Sequence, residues 1–308
     1  MPTDAVACAS GAADRAEPLL ATASRVRAWL GIEQPGAWGP DALTESGLDP
    51  ELGAAILARC RRAGVRAILL RRPRDGPTAP RRRCYLAHSG QRRSWMEWIE
   101  FDDPSSLLDL DLSCLASDLP PGIGTPAPDP LYLVCTNGRH DRCCADLGRP
   151  LVRALVEAGV DQVWECSHIG GDRFAANVVC LPEGVYLGRV GPDEGPMVTS
   201  DYAAGLLSLD HYRGRSCYPA LVQAAELYVR RAGGIRAIDG LTLVALDPLS
   251  DDRADVTFAA ASPSPDAAGR GWRARVSRRR SSQAMALTCR ADSPARPWEY
   301  QLDELAER

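Results

Sequence analysis

Hydrophobic and polar positions along the chain make two passes of one pattern and then change to another. The first pass opens with VRAWLGIEQPGAWG, a strand-like alternation that runs into a Pro-Gly turn. Asp49 and Pro50 supply an N-cap and an N1 proline for a helix in which Leu52, Ala55, Ile56 and Cys60 recur at helical spacing, and Gly64 stops it. VRAILLRRP reads as a short buried strand. RRRCYLAHSG and SWMEWIEFD read as two more, the second alternating Trp95, Glu97, Ile99 and Phe101 against Met96, Trp98 and Glu100. The Pro- and Gly-rich PPGIGTPAPDP then interrupts the pattern and predicts a linker at about 119–130.

The second pass repeats the order. LYLVC is an apolar strand, TNGRHDRC a loop, CADLGRPLVRALVEAG a helix and DQVWECSH a strand, with FAANVVCLPEG and VYLGRV as a following hairpin. LGAAILARCRRAGVRAILL and LGRPLVRALVEAGVDQVWE occupy corresponding places. Two strands joined by one helix imply a right-handed parallel unit, to which the hairpin adds antiparallel strands. This βαβ-ββ order is that of a thioredoxin-like domain, and two in tandem are expected.

The third stretch is predicted to begin with two helices, SDYAAGLLSL capped by Ser200 and PALVQAAELYVRR closed by Gly233 and Gly234. LTLVALDP, ADVTFAAA, GWRARVSRRR, QAMALTC and PWEYQLDEL then alternate at period two, predicting a small antiparallel meander packed around Trp272, Cys289 and Trp298. The expected divisions are a loosely ordered lead-in at 1–22, a degenerate thioredoxin-like domain at 23–118, the linker, a second such domain at 131–235 and a β-rich extension at 236–308.

Composition narrows the function classes. A net charge of -4 gives no electrostatic basis for nucleic acid or an anionic membrane surface. The arginine runs at Arg71 to Arg83 and Arg278 to Arg280 read as solvated strand ends or loops. The N-terminus lacks a basic segment followed by an apolar run, and no stretch approaches a bilayer-spanning length, so a cytoplasmic protein is expected. Eleven cysteines, an odd number, then point to ligands, buried apolar residues or redox thiols.

Five of those cysteines and two of the four histidines crowd into residues 131–190. Cys135 ends a strand; Cys143 and Cys144 begin the next helix, where free N–H groups and the helix dipole favour a thiolate. The C-x8-C spacing of Cys135 and Cys144 is too wide for a one-turn dithiol pair. In the second loop, CSHIGGDRF, extended geometry puts Cys166 and His168 on one face, Gly170 and Gly171 permit the backbone to wrap closely on a bound group, and Asp172 follows. Two pairs of donors, one per loop, make a four-ligand site possible. Cys180 reads as a core residue, Cys8 as either tucked against the body or free, and His140 and His88 as having no special role. Arg139, Arg142 and Arg173 flank the site, placed to bond a cofactor or to dock an acidic redox partner.

The runs CTNGRHDRCC, HIGGDRFAANVV and LPEGVYLGRV, with AWLGIEQPGAWG before and DHYRGR after, resemble the sucrase/ferredoxin-like family, which is similar to thioredoxin-like [2Fe-2S] ferredoxins. That resemblance, covering roughly residues 25–235, implies an electron carrier, with no substrate of its own and a redox partner protein. It implies a cluster held by Cys135 and Cys144 from the first loop and by His168 and Asp172 from the second. Asp172 stands where such ferredoxins have cysteine, so Cys166 and Cys143 are alternative fourth donors. Imidazole in place of thiolate would raise the potential and make it pH-dependent. The competing expectations are a zinc-binding structural module and a cluster-free thiol protein.

Overall fold

The computed structural model describes residues 7–73, 81–261 and 271–307. The start of the predicted lead-in, the middle of the first arginine run and a stretch of the C-terminal extension lie outside the described residues. Within the lead-in, Cys8–Asp14 forms a short helix, α1, that buries Cys8, Ala9 and Ala12, where a loosely ordered segment is predicted. Its small residues let it lie close to the body, and the chain after it is tied down by the Thr22 N–H bonding to the Arg213 carbonyl (3.1 Å).

The first pass builds β1 (Ala28–Glu33), α2 (Pro50–Ala63), β2 (Val65–Arg71), β3 (Arg82–His88) and β4 (Trp95–Phe101). The Asp49 carboxylate accepts from the Leu52 N–H at 2.9 Å, and Gly64 ends α2 in the left-handed region at φ 68°. A two-residue strand inside the predicted linker, β5 (Thr125–Pro126), pairs with β4. The second pass builds β6 (Leu131–Cys135), α3 (Arg142–Glu157), β7 (Val163–Cys166), β8 (Val178–Leu181) and β9 (Val185–Leu187). After it come α4 (Gly195–Ala203), β10 (Tyr212–Arg215), α5 (Ala220–Gly233) and the strands β11 (Leu241–Ser250), β12 (Arg253–Ala260), β13 (Gly271–Arg280) and β14 (Trp298–Glu307). Helix α4 starts five residues before the predicted Ser200 cap, because Pro196, with its fixed φ and no N–H, suits a first turn.

Strands β1 to β10 form one mixed sheet in the order β10-β9-β8-β6-β7-β2-β1-β3-β4-β5. The arrangement β9-β8-β6-β7 is repeated as β4-β3-β1-β2, and the two meet where β7 runs antiparallel to β2, Cys166 opposite Leu70. In each, a parallel pair carries the helix crossover and a hairpin continues the sheet. The last four strands form a separate antiparallel meander against α5. QAMALTC does not join it; among its residues only Met285 makes an isolated bridge, to Ala295.

Period-two alternation sorts the large sheet's side chains. Leu131, Leu133 and Cys135 of β6 point into one core with Trp29, Leu70, Trp164 and Cys166, drawn from both repeats. Tyr132 and Val134 point the other way, under α3 and α4. The shared core therefore ends, on the β6–β7 side, in sulfur.

Candidate metal centre

Donors from two loops converge at that end. β6 delivers Cys135, and the loop that follows hands the chain to α3, whose N-cap Asp141 accepts from the Cys143 N–H at 2.9 Å. This fixes the first turn so that Cys144 faces the core. A side chain at Gly148 would run into the Cys135 carbonyl oxygen, so the glycine sets how closely α3 approaches the strand. The Sγ atoms of Cys135 and Cys144 and a ring nitrogen of His168 all lie within 4.8 Å of one another. Asp172 adjoins this group and forms another with His140 and His168. Its Oδ1 is 3.3 Å from the Cys144 Sγ and 2.9 Å from the His168 Nδ1. That nitrogen is buried, with the Asp172 carboxylate as its charged neighbour. An imidazole nitrogen among two thiols and a carboxylate is a donor set that suits a metal ion.

The electrostatics agree. Hydrogen bonds from Cys144 and Cys166 outweigh burial and, with His168, hold the Cys135 thiol well below its ordinary range. Cys144, bonded to that sulfur and buried, is pushed up, as is Cys166 by burial and the same contact. Burial opposes charge on His168, but its contacts with Asp172 and Cys135 prevail and push it up to about 9. The surroundings thus favour charge on both Cys135 and His168, and a metal would displace protons from both Cys144 and His168.

Surrounding groups hold the second loop. The buried Arg213 guanidinium donates to the Thr22 carbonyl (2.6 Å), the Gly170 carbonyl (3.1 Å) and the Asn177 Oδ1 (2.8 Å). Arg66 donates to the His168 carbonyl at 3.0 Å and Ser24 to that of Ile169 at 3.1 Å. The first repeat reaches the first loop: Asn137 donates to the Gly39 carbonyl at 3.1 Å, and the His140 Nδ1 lies 3.2 Å from the Pro40 carbonyl.

Several expectations change. Gly170 and Gly171, at φ 98° and 82°, make room for Ser24 and Arg213 where wrapping around a bound group is expected. Arg173 is engaged with Glu17 at 2.8 Å and lies over Phe174, so it does not flank the centre as an open donor. Arg139 is exposed, lining with Arg142 a cavity of about 400 Å³ beside the first loop. Cys166 touches Cys135 from the neighbouring strand but stands outside the three-donor group, and Cys143 points away to Cys8 and Cys289. His140, expected to be an ordinary loop residue, stacks on His168 with ring centroids 3.7 Å apart and its Nε2 3.9 Å from Asp172. Its place within GRHDR, between the two cysteines, is the one signal in sequence that could have found it. Cys289 packs no sheet; it is exposed, beside Cys143. His88 is buried at a strand end, bonded to the Leu115 carbonyl (2.8 Å) and Asp118 (3.0 Å), in line with a structural role.

Fold and site together define a mixed α/β protein in which, among the described residues, Cys, His and Asp side chains capable of binding a metal ion gather at two places, one around Cys135 and His168 and one around Cys143. The chain belongs to the sucrase/ferredoxin-like family, whose model matches residues 20–214. No curated protein and no solved structure matches it. Among the described residues no helix is long and apolar enough to cross a membrane.

Proposed function

We propose that the chain is a cytoplasmic electron-transfer protein with a [2Fe-2S] cluster held by Cys135, Cys144, His168 and Asp172, on tandem thioredoxin-like repeats of which the second carries the donors. The observation that carries this reading is the convergence of two donor pairs from two loops, sulfur on the buried side and imidazole toward solvent. The His140 and His168 side chains are 27% and 26% exposed, so the centre has an edge at which a redox partner could exchange electrons. The ferredoxin-like description of the family points the same way.

Such a cluster, when bound, supplies a one-electron couple. The chain's own residues prepare the place. Cys135 is held toward its thiolate form, Asp172 orients the His168 ring, and His140 covers its face. Arg213 and Asn177 keep the second loop from moving away. The exposed Arg139 and neighbouring Arg149 offer a basic rim for an acidic redox partner, and the first repeat steadies the first loop through Gly39 and Pro40.

One observation favours a second reading, a mononuclear zinc site in a structural or interaction module. Three donors within 4.8 Å of one another are grouped as around one tetrahedral ion, whereas donors on separate irons stand farther apart. Anaerobic purification followed by iron, sulfide and zinc analysis separates the two. Iron with equal sulfide and broad visible absorption, both lost in Cys144→Ser, supports the cluster. Zinc alone at this site, or no iron after reconstitution, overturns it.

A further inference from the structure

A second set of donors lies on the opposite side of the α3 N-terminus and is not used by the centre above. Cys8 comes from α1, Asp141 and Cys143 from the start of α3, and Cys289 from the segment before β14. The Sγ of Cys143 is 3.7 Å from that of Cys8 and 3.5 Å from that of Cys289, and the Cys8 Sγ is 3.5 Å and 3.8 Å from the two Asp141 oxygens. All four ligand atoms lie within 4.8 Å of one another. We propose that Cys8, Asp141, Cys143 and Cys289 form a structural zinc site that staples both ends of the chain to the helix carrying Cys144.

Three features argue for it. The first is size. A tetrahedral zinc with Zn–S of about 2.3 Å and Zn–O of about 2.0 Å sets two sulfurs about 3.8 Å apart and a sulfur and an oxygen about 3.5 Å apart. The sulfurs lie 3.7 and 3.5 Å apart, close to the first figure, and the Cys8 Sγ lies 3.8 Å from Asp141 Oδ1, within about 0.3 Å of the second.

The second is the state of Asp141. Its Oδ2 accepts from the Cys289 N–H (2.6 Å) and the Thr288 hydroxyl (2.8 Å), while Oδ1 accepts only the Cys143 N–H (2.9 Å) among backbone and hydroxyl donors. A carboxylate has about four acceptor positions, so one on Oδ1 remains for a cation, and the groups on Oδ2 fix its orientation as outer-shell partners of a metal ligand do.

The third is connectivity. Cys8 and Cys289, linked by the Cys8 N–H donating to the Cys289 Sγ at 3.4 Å, are 281 positions apart. The apolar patch under α1 is small, formed by Cys8, Ala9, Cys143 and Ala175 with Ala7 against it. A metal closing so long a loop supplies binding that so little apolar surface does not. Thiolates are the ligands, so loading releases the thiol protons to solvent. Cys143 and Cys144 are adjacent and face opposite sites, so a metal here also fixes the turn from which Cys144 projects. The proposal does not depend on which metal the Cys135 centre holds.

The test uses the full-length chain as Cys135→Ser/Cys144→Ser, which removes both thiols of the first centre, so that zinc lost on adding Cys289→Ser is zinc held at the second. The expected result is about one zinc per chain after dialysis, thiolate-to-metal absorption when cobalt(II) replaces zinc, and loss of both on adding Cys289→Ser. Chelation is expected to expose the α1 segment to limited proteolysis. A double variant that folds by circular dichroism but holds no zinc overturns the proposal, as does zinc retained after Cys289→Ser. A Cys143–Cys289 or Cys8–Cys143 disulfide in freshly isolated, alkylated wild type also overturns it. If the double variant does not fold, wild type and Cys289→Ser are compared directly. A difference of about one zinc supports the site, and equal contents overturn it.

Discussion

In the metal-free, reduced chain the surroundings favour the charged form of both groups, raising His168 to about 9 and lowering Cys135 well below the ordinary thiol value. The raised His168 stabilises the fold in full below its unfolded value of 6.5, and this is lost as pH rises through about 9. The lowered Cys135 stabilises the fold in full above the ordinary thiol value of 9.0, and this is lost as pH falls through its folded value. Between pH 6.5 and 9 the two slopes oppose, because a raised group loses its stabilisation as pH rises and a lowered one gains it. Breaking the pair uncovers them. In Cys135→Ser, Asp172 still raises His168, so stability should fall with rising pH. In His168→Gln, Cys144 and Cys166 still lower Cys135, so stability should rise. Each slope is bounded by about 1.4 kcal/mol per pH unit, and the His168 contribution by about 3 kcal/mol in all. Urea midpoints measured with chelator and reductant across this range, relative to wild type, give the assay. Profiles parallel to wild type, or both variants tilting the same way, would refute the linkage.

Other variants probe the supports. Asp172→Ala should lower metal content at the Cys135 centre while Cys166→Ser leaves it near wild type, read by metal analysis; the reverse would make Cys166 the fourth donor. Gly148→Ala, which drives a methyl into the Cys135 carbonyl, should cost about 1–3 kcal/mol in urea and reduce metal content with it. Glu226→Gln removes the charge facing the fully buried Arg230 and leaves one oxygen where Arg230 and the Tyr212 hydroxyl each have their own, so a loss of about 3–5 kcal/mol is expected in thermal or urea unfolding. Arg213→Lys keeps a charge but cannot bridge Thr22, Gly170 and Asn177 together, and should lower metal retention with little change in far-UV circular dichroism.

What was legible in sequence was local. Asp49, Pro50 and Gly64 mark a helix by chemistry that acts within four residues, and the structure uses each as expected. The Cys135 and Cys144 pair was visible because strand end and helix start bracket one short loop. Alternation along LYLVC sufficed to turn Cys135 toward a core, but not to show that the core is shared by both repeats. Cys8 and Cys289 had no local signal, since their meaning depends on a contact between the two ends of the chain. Arg213 looked like one arginine among many; its importance comes from burial against a loop 36 residues before it. Gly170 and Gly171 read in sequence as places where the backbone wraps a bound group, and the neighbours that approach them in the structure are the Ser24 and Arg213 side chains.

The central claim is a cluster with mixed thiolate and imidazole ligation at the Cys135 centre. Pulsed electron paramagnetic resonance of the dithionite-reduced protein tests it most directly. The account expects a paramagnetic centre that shows hyperfine coupling to nitrogen, with that coupling lost in His168→Cys. A reduced protein with no paramagnetic signal after anaerobic reconstitution, or a signal whose nitrogen coupling persists in His168→Cys, would contradict it.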